Sequence, residues 1–323
     1  MKVFKTKVLS RNQPWKNKKR RRREERSRDD YRSQPNHIPI DLTLEILSRL
    51  PWKSIMRYRC VSKLWSSMTK LPSFINSFTT RSTSRSPTLL VTFSTQSAKY
   101  VLFFPTHQVP EGSTYSPLYS YEITNLDWHY WRSGSIQGLI LASLFKIWNP
   151  TLRRYIALPH PPGKHSPDQN GWASYLGYDP LEGKHKVLFV PSEEYTDQPL
   201  VLTLGIQESW RHITKGRYPV HLPTGTHAHG HEWKRFVLHI PCKSIRRDSI
   251  HFTGTTDAGE FIFAPYSFYQ DSYILFYDPR RKTTRKVFIK RNLDEFRRRC
   301  GLDSKHKFTM QVFPNHVESL FSL

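Results

Sequence analysis

The residues best suited to do chemistry lie in Thr226-His227-Ala228-His229-Gly230-His231-Glu232-Trp233. Alternate side chains of an extended strand share a face, so His227, His229 and His231 could offer imidazoles to one metal ion. A metal centre also needs a carboxylate or further ligands held in place by their neighbours, and the His-x-His-x-Asp-His order of a metal hydrolase is not matched. The stretch follows Pro223-Thr224-Gly225, which reads as a loop. Cys60, Cys242 and Cys300 are widely spaced and odd in number, which suggests neither a disulfide framework nor a paired zinc motif. The chain lacks a Gly-rich phosphate loop, a GxSxG elbow and an HExxH helix. Trp128, Tyr130, Trp131, Trp172 and Trp210 could line a ligand groove, although core packing of an aromatic-rich domain is the plainer reading of each. No catalytic set, metal or cofactor is expected.

The elements that would position any site begin after a strongly basic arm. The formal net charge is +24, of which +10 falls in residues 1–34. Within that arm Lys16, Lys18, Lys19, Arg20, Arg21, Arg22 and Arg23 form a self-repelling block, a pattern that suits a nuclear localisation signal or a solvated tail. The excess could also mark nucleic acid, an acidic membrane face or an acidic protein partner. No folded nucleic-acid module accompanies it. The longest mainly apolar run, Gly138–Phe145, is far short of the roughly 20 residues of a membrane span. The first residues are charged and lack the apolar stretch of a secretory signal. The chain is expected to be intracellular, in the nucleus and/or the cytoplasm.

Residues 37–78 read as three short helices. Asp41 suits a helix N-cap, and Leu42, Ile46 and Leu50, with Leu47 beside them, form one apolar stripe that ends before Pro51. Val61, Leu64, Trp65, Met68 and Leu71 form a second stripe, stopped by Pro72. Helices this short cannot bury both stripes among themselves, so part of the apolar surface should face a partner or a second domain.

Arg81–Pro87 reads as a polar connector, and β-type runs follow. They are Thr88–Ser94, Tyr100–Phe104, Gly138–Leu144, Lys186–Val190, Leu200–Gly205, Phe236–Ile240, Ser249–Thr253, Glu260–Ala264, Ser272–Tyr277 and Lys286–Lys290. The main later helix candidate is Leu293–Cys300. A local pattern recurs in this region. Trp148-Asn149-Pro150 leads through Arg153-Arg154 to a strand, Tyr178-Asp179-Pro180 through Lys184 to another, and Tyr277-Asp278-Pro279 through Arg280–Arg285 to a third. Asn or Asp before Pro initiates turns because its side chain bonds nearby backbone. Repeated hairpins of this kind suit the blades of a propeller.

Two segments resemble a known family. Ile38-Pro39, Asp41-Leu42, Glu45-Ile46-Leu47, Arg49-Leu50-Pro51 and Lys53-Ser54-Ile55, followed by Arg57–Lys63, Trp65 and Pro72-x-Phe74, resemble a plant F-box. Gly138-Leu139-Ile140, Ile147–Thr151, Tyr178-Asp179-Pro180, Val201–Gly205, Ser209-Trp210-Arg211 and Phe313–Leu320 resemble the F-box-associated domain. The family has a Gly-Ile-Cys-Ile-Asn-Gly-like turn where this chain has Ile245–Phe252, a departure that puts one blade in question.

The resemblance implies an α+β multidomain chain: a basic tail (1–34), a three-helix F-box (35–79), a linker (80–87) and an all-β, propeller-like F-box-associated domain (88–323). It implies a non-catalytic substrate-recognition subunit of a ubiquitin ligase. Such a subunit joins a Skp-type adaptor, and through it cullin and RING subunits, to a protein target. Adaptor contacts are expected at Pro39, Leu42, Ile46, Leu47, Leu50, Pro51, Cys60, Val61 and Trp65. The alternatives are an F-box interaction protein that works outside a ligase, or a basic nuclear nucleic-acid-binding adaptor. Binding to nucleic acid or to membrane is not expected.

Overall fold

The computed structural model describes residues 38–85, 87–95, 98–105, 116–124, 134–143, 145–161, 172–191, 198–205, 209–213, 250–269, 273–303 and 306–322. Two compact units divide the chain, residues 1–50 and 51–323. The first contains α1 (Ile40–Ser48). The second begins with α2 (Trp52–Val61), α3 (Lys63–Met68) and α4 (Pro72–Thr83) and continues through all the strands.

Four helices therefore replace the three expected, because Ser62 starts a new one. Its extended backbone ends α2, and its Oγ accepts from the Trp65 N–H at 3.1 Å and so caps α3. The α1 N-cap is Pro39 rather than Asp41, which lies in the first turn. The connector assigned to 81–87 is partly helical. In α4, Thr79, Thr80 and Thr83 bond back to carbonyls three or four residues earlier, while Phe74, Phe78 and Ser82 are buried.

The strands form four antiparallel sheets among the described residues. One contains β4 (Ile140–Ser143), β5 (Lys146–Asn149) and β6 (Arg154–Ala157). The next contains β7 (Trp172–Asp179), β8 (Lys184–Pro191), β9 (Leu200–Thr203) and β10 (Arg211–His212). A third contains β11 (Ile250–Thr255), β12 (Phe261–Pro265), β14 (Tyr273–Asp278) and β15 (Thr283–Phe288). The fourth runs β13 (Ser267–Phe268), β16 (Phe308–His316), β1 (Thr88–Ser94), β2 (Ala98–Pro105) and β3 (Tyr119–Thr124). In this last sheet the final strand pairs with the first, closing the ring of a four-blade propeller-like fold and covering a free edge. The segment 250–255 completes its blade despite the departure from the family turn. It pairs with β12 through a bulge between Phe252 and Gly254. The run expected at Phe236–Ile240 lies outside the described residues.

All three recurring turns form hairpins. Asn149 pairs with Arg154, Asp179 with Lys184 and Asp278 with Thr283. Each hairpin closes through a left-handed residue: Arg153 (φ 56°), Gly183 (φ 66°) and Lys282 (φ 55°). In each, the Asn or Asp Oδ1 accepts from turn amides, those of Leu152, of Leu181 and Glu182, and of Arg280 and Arg281.

Packing between blades makes the core. Apart from Lys99, β2 is apolar on both faces, and it is buried on both. Tyr100, Leu102 and Phe104 join Ile262, Ile274 and Phe276 on one side. Val101 and Phe103 join Ile140, Trp148 and Phe313 on the other. A third cluster, including Leu141, Ile147, Val187 and Leu202, joins the β4–β6 and β7–β10 sheets. The helix α5 (Lys290–Cys300) inserts Leu293 and Phe296 into the first cluster and ends at Gly301, whose φ of 65° suits a residue without Cβ.

Candidate functional site

In the first unit, Pro39 has no side-chain donor or acceptor for capping. The Thr43 Oγ1 and N–H both donate to its carbonyl. Leu42 and Ile46, one turn apart, are 55% and 50% exposed. Pro39 is also exposed, Leu50 is half-buried, and Leu47 is only 3% exposed. On the polar side, Glu45 and Arg49 form an exposed i,i+4 pair at 2.7 Å.

In the second unit, Tyr58 and Trp65 meet edge to face at 4.9 Å and brace α2 against α3. Arg59 donates to the Thr69 Oγ1 at 3.0 Å and to its carbonyl at 2.8 Å. Burial and the nearby Arg154 both work against the Arg59 charge and lower its pKa. With that brace in place, Val61 and Leu71 project outward, 69% and 44% exposed. Leu64 is 39% exposed, Pro51 and Cys60 are exposed, and Trp65 is half-buried. Leu64 and Leu71 belong to the apolar stripe but were not among the expected contacts.

The other ends of these helices are bonded to the propeller. A helix N-terminus leaves amides unpaired, and Pro51, the α2 N-cap, carries no acceptor side chain. The acceptor comes instead from Glu318. The Trp52 N–H donates to its Oε2 at 3.1 Å, and Arg85, just past α4, lies 3.4 Å from the same oxygen. Burial pushes the Glu318 carboxyl above the usual carboxylate range, while the Trp52 amide, Arg85 and Lys53 pull it back. The Trp52 ring packs on Tyr119 of β3 at 5.9 Å, and the Lys53 ammonium lies 4.0 Å from the centre of the same ring.

Glu318 is held by its own strap. The Asn149 Nδ2 donates to the carbonyls of Ser319 at 3.1 Å and Phe321 at 2.9 Å, and the Ser319 N–H donates to Thr151 Oγ1. This use of its amide distinguishes Asn149 from Asp179 and Asp278, since a carboxylate has no proton to donate there. Gly138 (φ 81°) passes so close that a Cβ would lie 2.6 Å from Val317 O and from Ser319 Cβ. The residues that form this latch are up to 266 positions apart, so no local sequence signal announces it.

The remaining candidates bring no chemistry together. Lys16, Lys18, Lys19, Arg20, Arg21, Arg22 and Arg23 lie outside the described residues, as do His227, His229, His231 and Cys242. Among the described residues no three His, Cys, Asp or Glu side chains are grouped to hold a metal, and no helix is long and apolar enough to cross a membrane. Trp210 packs on Phe189 and donates to the Pro159 carbonyl at 2.9 Å, a structural role.

Comparison with known proteins agrees with this architecture. The F-box domain pattern matches residues 36–77, and the F-box associated beta propeller domain matches 88–230 and 226–317. The chain belongs to the F-box family with an associated β-propeller. Putative F-box protein At1g47790 of Arabidopsis thaliana is 30% identical, over 94% of this chain and 99% of its own length. Putative F-box protein At3g10240 of the same plant is 31% identical, over 90% of this chain and 94% of its own. F-box protein At5g18160, also from that plant, is 43% identical over 61% of this chain and 50% of its own length. No solved structure matches. F-box and associated-propeller families are generally non-catalytic adaptors or receptors. The F-box domain generally binds Skp-type adaptors.

Proposed function

We propose that this F-box protein is the substrate-recognition subunit of an SCF-type ubiquitin ligase. Its F-box would dock on a Skp-type adaptor that leads to cullin and RING subunits, and its propeller would hold a protein target. The observation that carries this reading is the exposure of apolar side chains on the F-box helices of each unit. Leu42 and Ile46 in α1, and Val61, Leu64 and Leu71 around α2 and α3, are each at least 39% exposed. Apolar side chains repeated along helices at this exposure suit burial by a partner.

The mechanism is proximity. The ligase transfers ubiquitin from a charged enzyme to a lysine of the target. This chain raises the local concentration of that lysine to the millimolar range typical of tethered pairs and takes no part in the bond-making. The Trp52–Glu318 and Arg85–Glu318 contacts support the arrangement, because they tie α2 and α4 to the domain that would carry the target. The arm at 16–23 would direct part of the population to the nucleus.

Pull-down of purified Skp-type adaptor by the full chain tests the reading. Wild type should retain the adaptor, whereas Leu42→Asp combined with Leu64→Asp should lose it with an unchanged melting temperature, since both side chains are exposed. Undiminished binding by the double variant would overturn the docking assignment. Co-purification of cullin with the tagged chain from cells would separate a ligase subunit from an F-box protein that works outside one.

A further inference from the structure

We infer that α2 and the β5–β6 hairpin together hold an extended, carboxylate-rich segment of the protein target. The inference rests on the receptor reading above and names the chemistry of what that receptor takes. The hairpins with an Asn/Asp-Pro turn all carry basic residues after it, and they differ in what meets those cations. In β7–β8, Lys186 contacts Asp179 at 2.6 Å and Glu182 at 2.9 Å. In β14–β15, Arg285 meets Glu260 at 2.9 Å and Arg281 meets Asp278 at 3.8 Å. The β5–β6 hairpin, residues 146–157, contains no Asp or Glu, and its turn position is the neutral Asn149 that holds the C-terminal strap. Its Arg153 and Arg154 are exposed and form no ion pair among the described residues.

The helix α2 adds to this charge and does not neutralise it. It too lacks Asp and Glu. Its Lys53 and Arg57, one turn apart, are exposed and likewise form no ion pair among the described residues. Contacts with the propeller bring these cations to one place. Lys53 lies 4.0 Å from the centre of the Tyr119 ring, and Arg153 lies 4.4 Å from that of Tyr121. Arg154 is near enough to α2 to add to burial in disfavouring the Arg59 charge. Neither carboxylate on the adjoining strands answers the cluster. Glu318 is committed to the Trp52 amide and Arg85, and Glu122 meets Cys300 on the opposite face of β3. Like charges gathered without counter-ions repel one another, and an anionic ligand relieves that repulsion. Both elements lie in one compact unit, so the charges keep their spacing before a ligand arrives.

Spacing and aromatic cover choose among anions. Tyr119 and Tyr121 stand two residues apart on β3, which sets the cations over them roughly 7 Å apart. An extended peptide with an acid at every second position repeats at the same interval. A single-stranded nucleic acid would need open rings for its bases, and here Lys53 and Arg153 already cover Tyr119 and Tyr121.

The test titrates a fluorescein-labelled peptide of Glu-Gly repeats with the full chain and follows anisotropy at low and high salt. Arg57→Gln with Arg154→Gln should weaken binding roughly 2- to 30-fold at low salt, the range for two exposed ion pairs. It should also flatten the salt dependence, because screening then has less charge to act on. Arg57→Lys with Arg154→Lys should restore the salt dependence. Arg281→Gln with Lys282→Gln, on the β14–β15 turn, should change neither affinity nor salt response. An equal loss in that control, or wild-type affinity in the Arg57→Gln, Arg154→Gln protein, would overturn the proposal. Carbodiimide coupling maps the bound peptide apart from any held by the basic arm. Lys53 should be modified in wild type and far less in the Arg57→Gln, Arg154→Gln protein, and an unmodified Lys53 in wild type would count against the site. The same double variant should still retain purified Skp-type adaptor. Loss of the adaptor would give these cations to that interface and overturn their assignment to a target. Failure of wild type to hold the adaptor would overturn the ligase reading alone, since the peptide titration does not involve the adaptor. Poly(U) that binds more tightly than the peptide, and loses its binding in the same variant, would reassign the cations to phosphate.

Discussion

Removing the Glu318 carboxylate should loosen the F-box helices from the propeller, and the size of the effect follows from three contributions. In Glu318→Ala the Trp52 N–H loses its acceptor in a part-buried site, a loss of about 1–3 kcal/mol. The favourable charge at the α2 N-terminus, about 0.3–2 kcal/mol, is lost as well. Relief of the burial penalty that raises the carboxyl pKa offsets part of this. A net loss of about 1–3 kcal/mol is expected. Glu318→Gln keeps an oxygen for the Trp52 amide and should stay within about 1 kcal/mol of wild type.

The pH dependence separates these effects. The folded carboxyl holds its proton to higher pH than the unfolded one, whose value is 4.5. Between those two values the folded state binds more protons, so this residue's contribution to stability falls as pH rises through the window. Glu318→Gln removes that slope. Urea unfolding of wild type, Glu318→Gln and Glu318→Ala at several pH values from about 4 to 8 measures both quantities. Hydrogen exchange at the start of α2 should rise in the Ala variant first. Equal urea midpoints for wild type and Glu318→Ala, with unchanged exchange at Trp52, would refute the latch.

Three further outcomes follow from the same geometry. Asn149→Asp aims a carboxylate at the Ser319 and Phe321 carbonyls, so it should destabilise by more than Asn149→Ala, by about 3 kcal/mol or above at neutral pH in thermal unfolding. The reverse change Asp179→Asn keeps an oxygen for the Leu181 and Glu182 amides and gives up only the charge of the Lys186 contact in an exposed turn, so its melting temperature should move far less. Gly138→Ala must both adopt a left-handed backbone and displace the 317–319 segment, so its melting temperature should drop well beyond that of Gly259→Ala, which has a similar φ but open space. Burial lowers the pKa of His316 to about 3 and of His185 to about 4. Their unfolded values are near 6.5, so the unfolded state binds more protons below that pH, and stability should fall as pH drops from about 7 toward 4. His316→Gln should flatten that acid limb in calorimetric scans.

Local chemistry was legible in the sequence wherever one segment settles its own structure. The Asn/Asp-Pro turns predicted hairpins, and the side-chain bonds that make such turns lie within three residues of one another, at 149, 179 and 278. The run Thr88–Ser94 is a strand with the expected bounds, and the helix expected at 293–300 is part of α5. The helical stripes were visible as well, because periodicity depends only on neighbours. Strands β3 and β16 were missed as β elements. Their identity depends on pairing with β2 and with β1 and β13, contacts that cross more than the width of a local window.

The sequence by itself determined the parts: two apolar helical stripes, a set of hairpins, a basic arm and a family resemblance that the comparisons bear out. It could not say which apolar residues of a stripe face outward. That depends on what packs against each helix, and only the tertiary structure separates Leu47, at 3% exposure, from Ile46 beside it at 50%. The same holds for Glu318. In the sequence it is one charged residue near the end of the chain. In the fold, ring closure by β16 and the Asn149 strap carry it to the open end of α2, where an unpaired amide needs an acceptor that Pro51 cannot supply.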